Sequence, residues 1–359
     1  MTNRERMLAV LQGRPHDRVP LVQYTNIAAP NPQVWDLLGR DRLGTLTWTA
    51  AAGFHAPNCR FVTEEFAHQG RQGYRTTLHT PAGALQQEKL LEPVFGSAAT
   101  HRFYVREPRD YLVLLAYLND LVISPNLTGT ASALEAIGED GLLHFNVRRT
   151  PFQQLWVEWV SLTDLCLHMV DAPDLMAEVY ETMRRVQRQT FAAAIEVARQ
   201  LPVPYIVFPD NITAPAIGPH WFAEHCLGSY RELADMVAEA GLNLPIHCHM
   251  DGDLRPLWDQ ITASPVRGID SLSPPPDNDT TVTAALALAP DMRVFPNFPS
   301  SVHLAPAADI QRTAAALLQE GGASGRFWIQ ISENVPPDRW QVSYPAIAQA
   351  IDEFGVPVA

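Results

Sequence analysis

Tyr205–Pro209 (YIVFP), Trp221–Ala240 (WFAEHCLGSYRELADMVAEA) and Leu244–His249 (LPIHCH) decide the fold. The first and last are short, continuous apolar runs, the pattern of strands buried on both faces. Between them Phe222, Cys226, Leu233, Met236 and Val237 recur at helical spacing. Strand, helix and strand joined by Gly- and Pro-containing links make a βαβ unit, whose two strands run parallel.

Working outward, the alternation continues to the C-terminus. Asp253–Ile261 has a helical pattern, and apolar runs follow at Gly268–Leu272, Met292–Phe298 and Phe327–Ile331. Each of these precedes a further helical pattern, at Thr280–Leu288, Ala307–Glu320 and Tyr344–Phe354. Asp279, just ahead of Thr280, reads as a helix cap. Towards the N-terminus, Val19–Thr25, Leu121–Pro125 and Leu142–Val147 complete a set of eight runs. The expected fold is α/β, a (β/α)8 TIM barrel, with residues 1–359 forming a single domain.

Two segments depart from the alternation. Residues 173–200 read as one long amphipathic helix opening at Pro173. At about residues 55–95, between the first two runs, the chain reads as a β-rich insertion after the first strand. There Tyr74, Thr76 and Leu78 alternate ahead of a turn at Pro81–Gly83, as in a hairpin. This insertion is expected to lie over the barrel mouth as a lid.

Composition narrows the function classes. With 47% hydrophobic and 18% charged residues the chain is a folded one. Acidic residues outnumber basic ones 39 to 26, a net charge of −13, which argues against nucleic-acid and anionic-membrane partners. No apolar stretch is long enough to span a bilayer. The opening MTNRERMLAVLQG is a charged amphipathic pattern without the apolar centre of a signal peptide, so a cytoplasmic location is expected. Cys59, Cys166, Cys226 and Cys248 form no CxxC pair, which argues against a disulfide framework or a four-cysteine zinc site.

In a barrel of this class the working residues project from the C-terminal ends of the strands. Those ends carry Asp210 and Asn211, then His247, His249 and Asp251, then Asp270, Asn297 and Glu333. An extended strand turns His247, His249 and Asp251 to one face, a metal half-site completed across the mouth by Glu333. Either histidine could equally be a hydrogen-bonded core residue. Gly252 is expected to let the backbone turn. Asp210, Asn211 and Asp270 are candidate catalytic groups, with helix capping as the plain alternative for both aspartates. His247, Asn297 and Arg149 are candidate substrate contacts, and Arg148, Trp156 and Trp159 could line the same pocket or simply form amphipathic wall. Cys248 faces away from the histidines and reads as a buried small side chain.

The opening MTNRERMLAVLQGRPHDRVPLV, the stretch from Phe208 to Gly252 and the stretch from Gly268 to Pro337 together resemble the uroporphyrinogen decarboxylase-like superfamily. That resemblance implies a (β/α)8 barrel. True uroporphyrinogen decarboxylases carry arginines after the first strand to bind substrate carboxylates. Here Val22–Pro30 (VQYTNIAAP) has none, so the chain looks closer to the corrinoid-dependent methyltransferase branch. Those enzymes hold zinc through a His-x-Cys-Gly motif and a second cysteine near the chain end.

His249-Met-Asp251-Gly252 resembles that motif with Asp251 in place of the first cysteine, and Glu333 falls where the second would stand. The register singles out His249 over His247. The resemblance thus implies a divalent metal, zinc above all with Mn or Fe as alternatives, on His249, Asp251 and Glu333. One histidine and two carboxylates make a harder donor set than two thiolates, better suited to polarising oxygen than to holding a thiolate.

The expected activity is metal-assisted methyl transfer or demethylation of a small substrate, with a corrinoid protein as a candidate partner. A lyase or decarboxylase using Asp210, Asp251 and His249 for proton transfer, and a barrel that only binds a ligand or corrinoid protein, are the alternatives. Oligomeric state stays open, a homodimer being what many relatives form.

Overall fold

The computed structural model describes residues 1–25, 27–93, 97–333 and 335–355. Its strands, in chain order, are β1 (Leu21–Tyr24), β2 (Gly44–Ala50), β3 (Ala52–His55), β4 (Arg60–His68), β5 (Arg71–Thr80), β6 (Gly83–Leu91) and β7 (Ala98–Arg102). They continue as β8 (Val122–Pro125), β9 (Gly141–Asn146), β10 (Ile206–Phe208), β11 (Ile246–His249), β12 (Val266–Leu272), β13 (Arg293–Pro296) and β14 (Ile329–Ile331).

Eight of them form one parallel sheet in the order β13-β12-β11-β10-β9-β2-β1-β14. Parallel bridges Val294↔Phe327 and Asn297↔Gln330 join β13 to β14 and close the ring. The (β/α)8 barrel is therefore present, and helices on its outside bury the outward strand residues.

One strand assignment is corrected. Leu121–Pro125 is not a barrel strand: β8 pairs antiparallel with β3 in a separate two-stranded ribbon. Val122 there is 56% exposed, which no interior barrel strand would be. The second barrel strand is β2, with sequence GTLTWTA. It alternates threonine with larger residues and so lacks the continuous apolar signature.

The β-rich insertion is present, but it leaves the barrel after the second barrel strand, β2, and not after the first, because the strand at Gly44–Ala50 precedes it. Strands β4 to β7 form an antiparallel sheet in sequential order, with the expected hairpin at Thr80–Gly83 joining β5 to β6. The chain returns through the Tyr111–Asp120 helix and β8.

The Pro173–Gln200 helix matches its expected bounds and buries Met176, Val179, Met183, Val186 and Phe191 against the barrel. The pattern at Trp221–Ala240 resolves into two helices, Ala214–His225 and Leu227–Glu239, which meet at Cys226. Thr281, not Asp279, caps the Val282–Leu286 helix. Asp279 instead accepts from the backbone N–H groups of Leu254 and Arg255, pinning the loop after β11.

The barrel interior is layered from apolar to polar. The Asn3–Gln12 helix plugs one end with Met7, Val10 and Leu11, which pack with Val22, Leu46, Leu142, Tyr205, Val207, Phe295 and Trp328. Thr2 caps this helix through a reciprocal bond with Glu5, and Gly13 ends it in the left-handed region at φ 62°. Above the apolar layer the inward positions become polar: Tyr24, His144, His249, Asp270 and Gln330, all buried. The transition from one layer to the other places the site.

Candidate functional site

The site is built around Asp270 on β12. Its carboxylate is buried, and four donors converge on it. Tyr24 Oη donates to Oδ2, His144 Nε2 and His249 Nδ1 each lie 3.0 Å from Oδ2, and Gln330 Nε2 donates to Oδ1 at 2.9 Å. Burial alone would raise this carboxyl, but the two imidazoles hold it well below the ordinary carboxylate range. The five side chains come from β1, β9, β11, β12 and β14, so the network ties together much of the ring's circumference.

A bulge enlarges this network. The ladder between β12 and β13 shifts register between Asp270 and Leu272, and Ser271 sits in the left-handed region at φ 59°. Simple alternation would turn Ser271 outward. The bulge instead brings its hydroxyl to 3.1 Å from both Tyr24 Oη and Gln330 Nε2.

His249 links this floor to the mouth. With Nδ1 engaged by Asp270, Nε2 points up to Asp251 Oδ2 at 3.6 Å. Burial opposes a charged imidazole here, yet the hydrogen bonds and negative charge of Asp251 and Asp270 raise its pKa to about 10. Asp251 is lowered in turn: His249 outweighs the opposing effect of burial.

Glu333 completes a trio with His249 and Asp251 in which one ligand atom from each lies within 4.8 Å of the others. Glu333 keeps access to solvent, but neighbouring protein atoms crowd its carboxyl. That crowding and the Asp251 charge raise it, with His249 opposing.

The loop after β10 supports Asp251. Asn211, in the left-handed region at φ 56°, donates from Nδ2 to Asp251 Oδ2 at 2.9 Å and accepts from Arg149 Nη2 at 2.8 Å. Gly252 earns its place by close approach rather than by turning the chain. A Cβ there would fall 2.1 Å from the Thr213 side chain, so only glycine lets the loops after β10 and β11 touch. Ile212 N to His249 O and Gly252 N to Ile212 O clip them together.

The other expected site residues divide. Asn297 lies at the mouth, where its Oδ1 accepts from the N–H and hydroxyl of Ser332; it therefore holds the backbone next to Glu333. His247 lies one layer below, stacked on Tyr205 at 4.4 Å between ring centroids and packed against Gly268. Among the described residues neither of its ring nitrogens has a hydrogen-bond partner, and burial lowers its pKa to about 3, so it is a neutral aromatic of the interior.

Asp210 is not brought to the site. Its carboxylate accepts from Thr150 N and Tyr230 Oη, on the outer side of the ring where Tyr230 packs with Phe208. Burial pushes its carboxyl up to about 6. Cys248 also faces that outer core, with Sγ 3.3 Å from Tyr230 Oη. Trp159 is buried against Tyr104 and Tyr117 rather than facing the mouth.

Sequence reasoning missed Tyr24, His144, Ser271, Gln330 and Trp48, the last stacked on His144 at 5.3 Å. A signal was there for three of them. Tyr24, His144 and Gln330 are polar residues at inward phase within otherwise apolar strands, where a polar group needs a buried partner. Ser271 required the bulge, and Trp48 belongs to the strand whose pattern was not continuous.

Among the described residues no helix is long and apolar enough to cross a membrane. No family model and no curated protein matches the chain. It is similar to a solved structure, a methyltransferase from Methanosarcina mazei, with a TM-score of 0.57 and 14% identity over 99% of each chain. At that identity the likeness speaks for the fold.

Proposed function

We propose that this chain is a metal-assisted methyltransferase or demethylase of a small substrate, of the uroporphyrinogen decarboxylase-like superfamily, with residues 1–359 as one barrel domain. The observation that carries the reading is the orientation of His249: Asp270 takes its Nδ1–H, leaving Nε2 directed at Asp251 and Glu333. Carboxylate-held histidines of this kind are the usual metal ligands.

The donor set fits a metal. Bonds of about 2.0–2.2 Å to a four-coordinate ion put ligand atoms on the order of 3.4 Å apart. His249 and Asp251 are already at 3.6 Å, and Glu333, exposed and on a loop, closes the remainder by side-chain rotation. A His249 imidazole that has given up its Nε2 proton, with two carboxylates, would suit Zn, Mn or Fe(II), in competition with the proton that its raised pKa favours. When bound, such an ion supplies Lewis acidity to the oxygen or nitrogen that carries the methyl group.

The chain's own residues do the rest. Asp270 fixes the His249 tautomer, and Tyr24, His144 and Gln330 hold Asp270 in place. Asn211 orients Asp251, Asn297 orients the strand end that bears Glu333, and the neutral His247 packs in the apolar layer beneath that network. A corrinoid protein is the partner we would supply as methyl carrier.

The proton-transfer lyase reading is weakened because Asp210, one of its three groups, is locked outside the mouth. Elemental analysis of purified protein tests the proposal. One divalent ion per chain, lost in His249→Ala and Glu333→Ala, supports it. Metal-free protein with lyase activity that survives chelators would replace it with the alternative.

A further inference from the structure

The mouth has a second feature that the metal trio does not use. Between the strand ends and the base of the insertion lies a cleft of about 310 Å³, bordered by Phe54, Tyr117, Asn146, Arg148, Arg149 and Glu158. Its charged lining is two guanidiniums against one carboxylate, a net positive cleft in a chain of net charge −13.

The two arginines are differently employed. Arg149 is bound by Glu158 at 3.0 Å and by Asn211 at 2.8 Å, although its Nε is buried without a partner among the described residues. Arg148 has no carboxylate or carbonyl partner among the described residues and lies half-buried over the Phe54 ring, 4.9 Å from the centroid. A guanidinium carries five donors in a planar fork, and none of the Arg148 nitrogens is buried away from solvent. The stem is held by Phe54 while the fork stays open to an incoming anion.

Two hydrogen-bond chains tie the cleft to the site. Arg149 reaches Asp251 through the Asn211 side chain. Asn146 bonds His144 Nδ1 at 2.9 Å, and His144 bonds Asp270, which holds His249. A π-helical turn at Leu155–Trp159 sets Glu158 against Arg149, so that carboxylate is already spent.

We propose that Arg148 and this cleft bind the anionic head of the substrate, an organic monoanion of the carboxylate or sulfonate type with an apolar body against Phe54 and Tyr117. The inference rests on the reading of the mouth as the site of methyl transfer. One net positive charge matches a monoanion. A dianionic phosphate would leave the pocket negative beside Glu158.

Calorimetric titration of the metal-loaded protein with benzoate, benzenesulfonate, phenyl phosphate and neutral benzamide tests it, with metal content measured on the same samples. The expected result is that benzoate or benzenesulfonate binds about tenfold or more tighter than benzamide and phenyl phosphate. The comparison between the first two identifies the head group.

Arg148→Gln should abolish the preference while metal content and Tm stay at the parent values, and Arg148→Lys should keep part of it. Equal binding of benzoate, benzenesulfonate and benzamide overturns the proposal, as does a preference that survives Arg148→Gln. Preference without metal would uphold the anion cleft and remove the metal reading. Metal without preference would do the reverse.

Discussion

His249 Nδ1 lies 3.0 Å from Asp270 Oδ2, and this contact decides which face of the imidazole is free. Removing the charge while keeping the shape isolates its effect. Asp270→Asn should reduce affinity for a divalent ion about 10–100-fold, the usual consequence of losing a carboxylate behind a histidine ligand. Competition titration against a metal indicator measures it, with circular dichroism to show that the barrel persists. Unchanged affinity in a folded variant would mean that the pair does not orient a ligand.

Asn211 combines a backbone and a side-chain role that two substitutions separate. Asn211→Gly keeps the left-handed conformation easy but deletes the bonds to Asp251 and Arg149. Asn211→Ala deletes the same bonds and adds strain of about 1–2 kcal/mol. Both variants should bind metal several-fold more weakly, to the same extent. Only the alanine variant should show the further fall in unfolding free energy, read from urea melts.

Asp210 predicts a pH effect on stability without an effect on the site. Its carboxyl is raised to about 6, above the ordinary value of 3.8 that it regains on unfolding. Its contribution to stability is therefore fully present below pH 3.8 and is lost as pH rises through about 6. Relative to Asp210→Asn, the parent should lose on the order of 3 kcal/mol between pH 4 and pH 7, from about 1.4 kcal/mol per pKa unit. Melts at four or five pH values give the difference. The proposed methyl transfer should run in the variant as in the parent at 25 °C, and its loss in the variant alone would restore a catalytic role for Asp210.

His247 and Gly268 should be coupled. A Cβ on Gly268 would fall 2.2 Å from the His247 ring, which Tyr205 and Phe295 confine on other sides. Gly268→Ala is expected to cost about 2 kcal/mol or more through overpacking. In a His247→Ala background the same change should cost clearly less, a non-additivity that a double-mutant cycle reads directly.

The residues that made the barrel readable also limit what could be read. Strands buried on both faces, such as Ile206–Phe208, announce themselves as apolar runs. Gly44–Ala50 did not, because its threonines break the run, and the ribbon at Val122–Pro125 took its place. His249, Asp251 and Glu333 could be named because each closes or follows an apolar run.

Asp270 was visible as an acid at a strand end, but its work of collecting four donors depends on five strands meeting around one axis. Tyr24, His144 and Gln330 enter that arrangement from strands far apart in the chain. Ser271 enters it through a register shift, which residue alternation conceals.

The ribbon of β3 and β8 gives the insertion an unusual freedom. Ala52 pairs with Pro125 as the first of four rungs, and Asn126 N donates to Ala51 O, so the outgoing and returning chain are joined where they leave the barrel. The ribbon closes the excursion into a short link between the barrel's second and third strands, and the bridge Val105↔Val160 and the bond from Gln87 to Glu158 O add further ties beyond it. The entropy of closing the excursion is met locally, at the ribbon, and grows only slowly with added residues. The antiparallel sheet can therefore lengthen, shrink or be exchanged between lineages while the polar network around Asp270 keeps its dimensions.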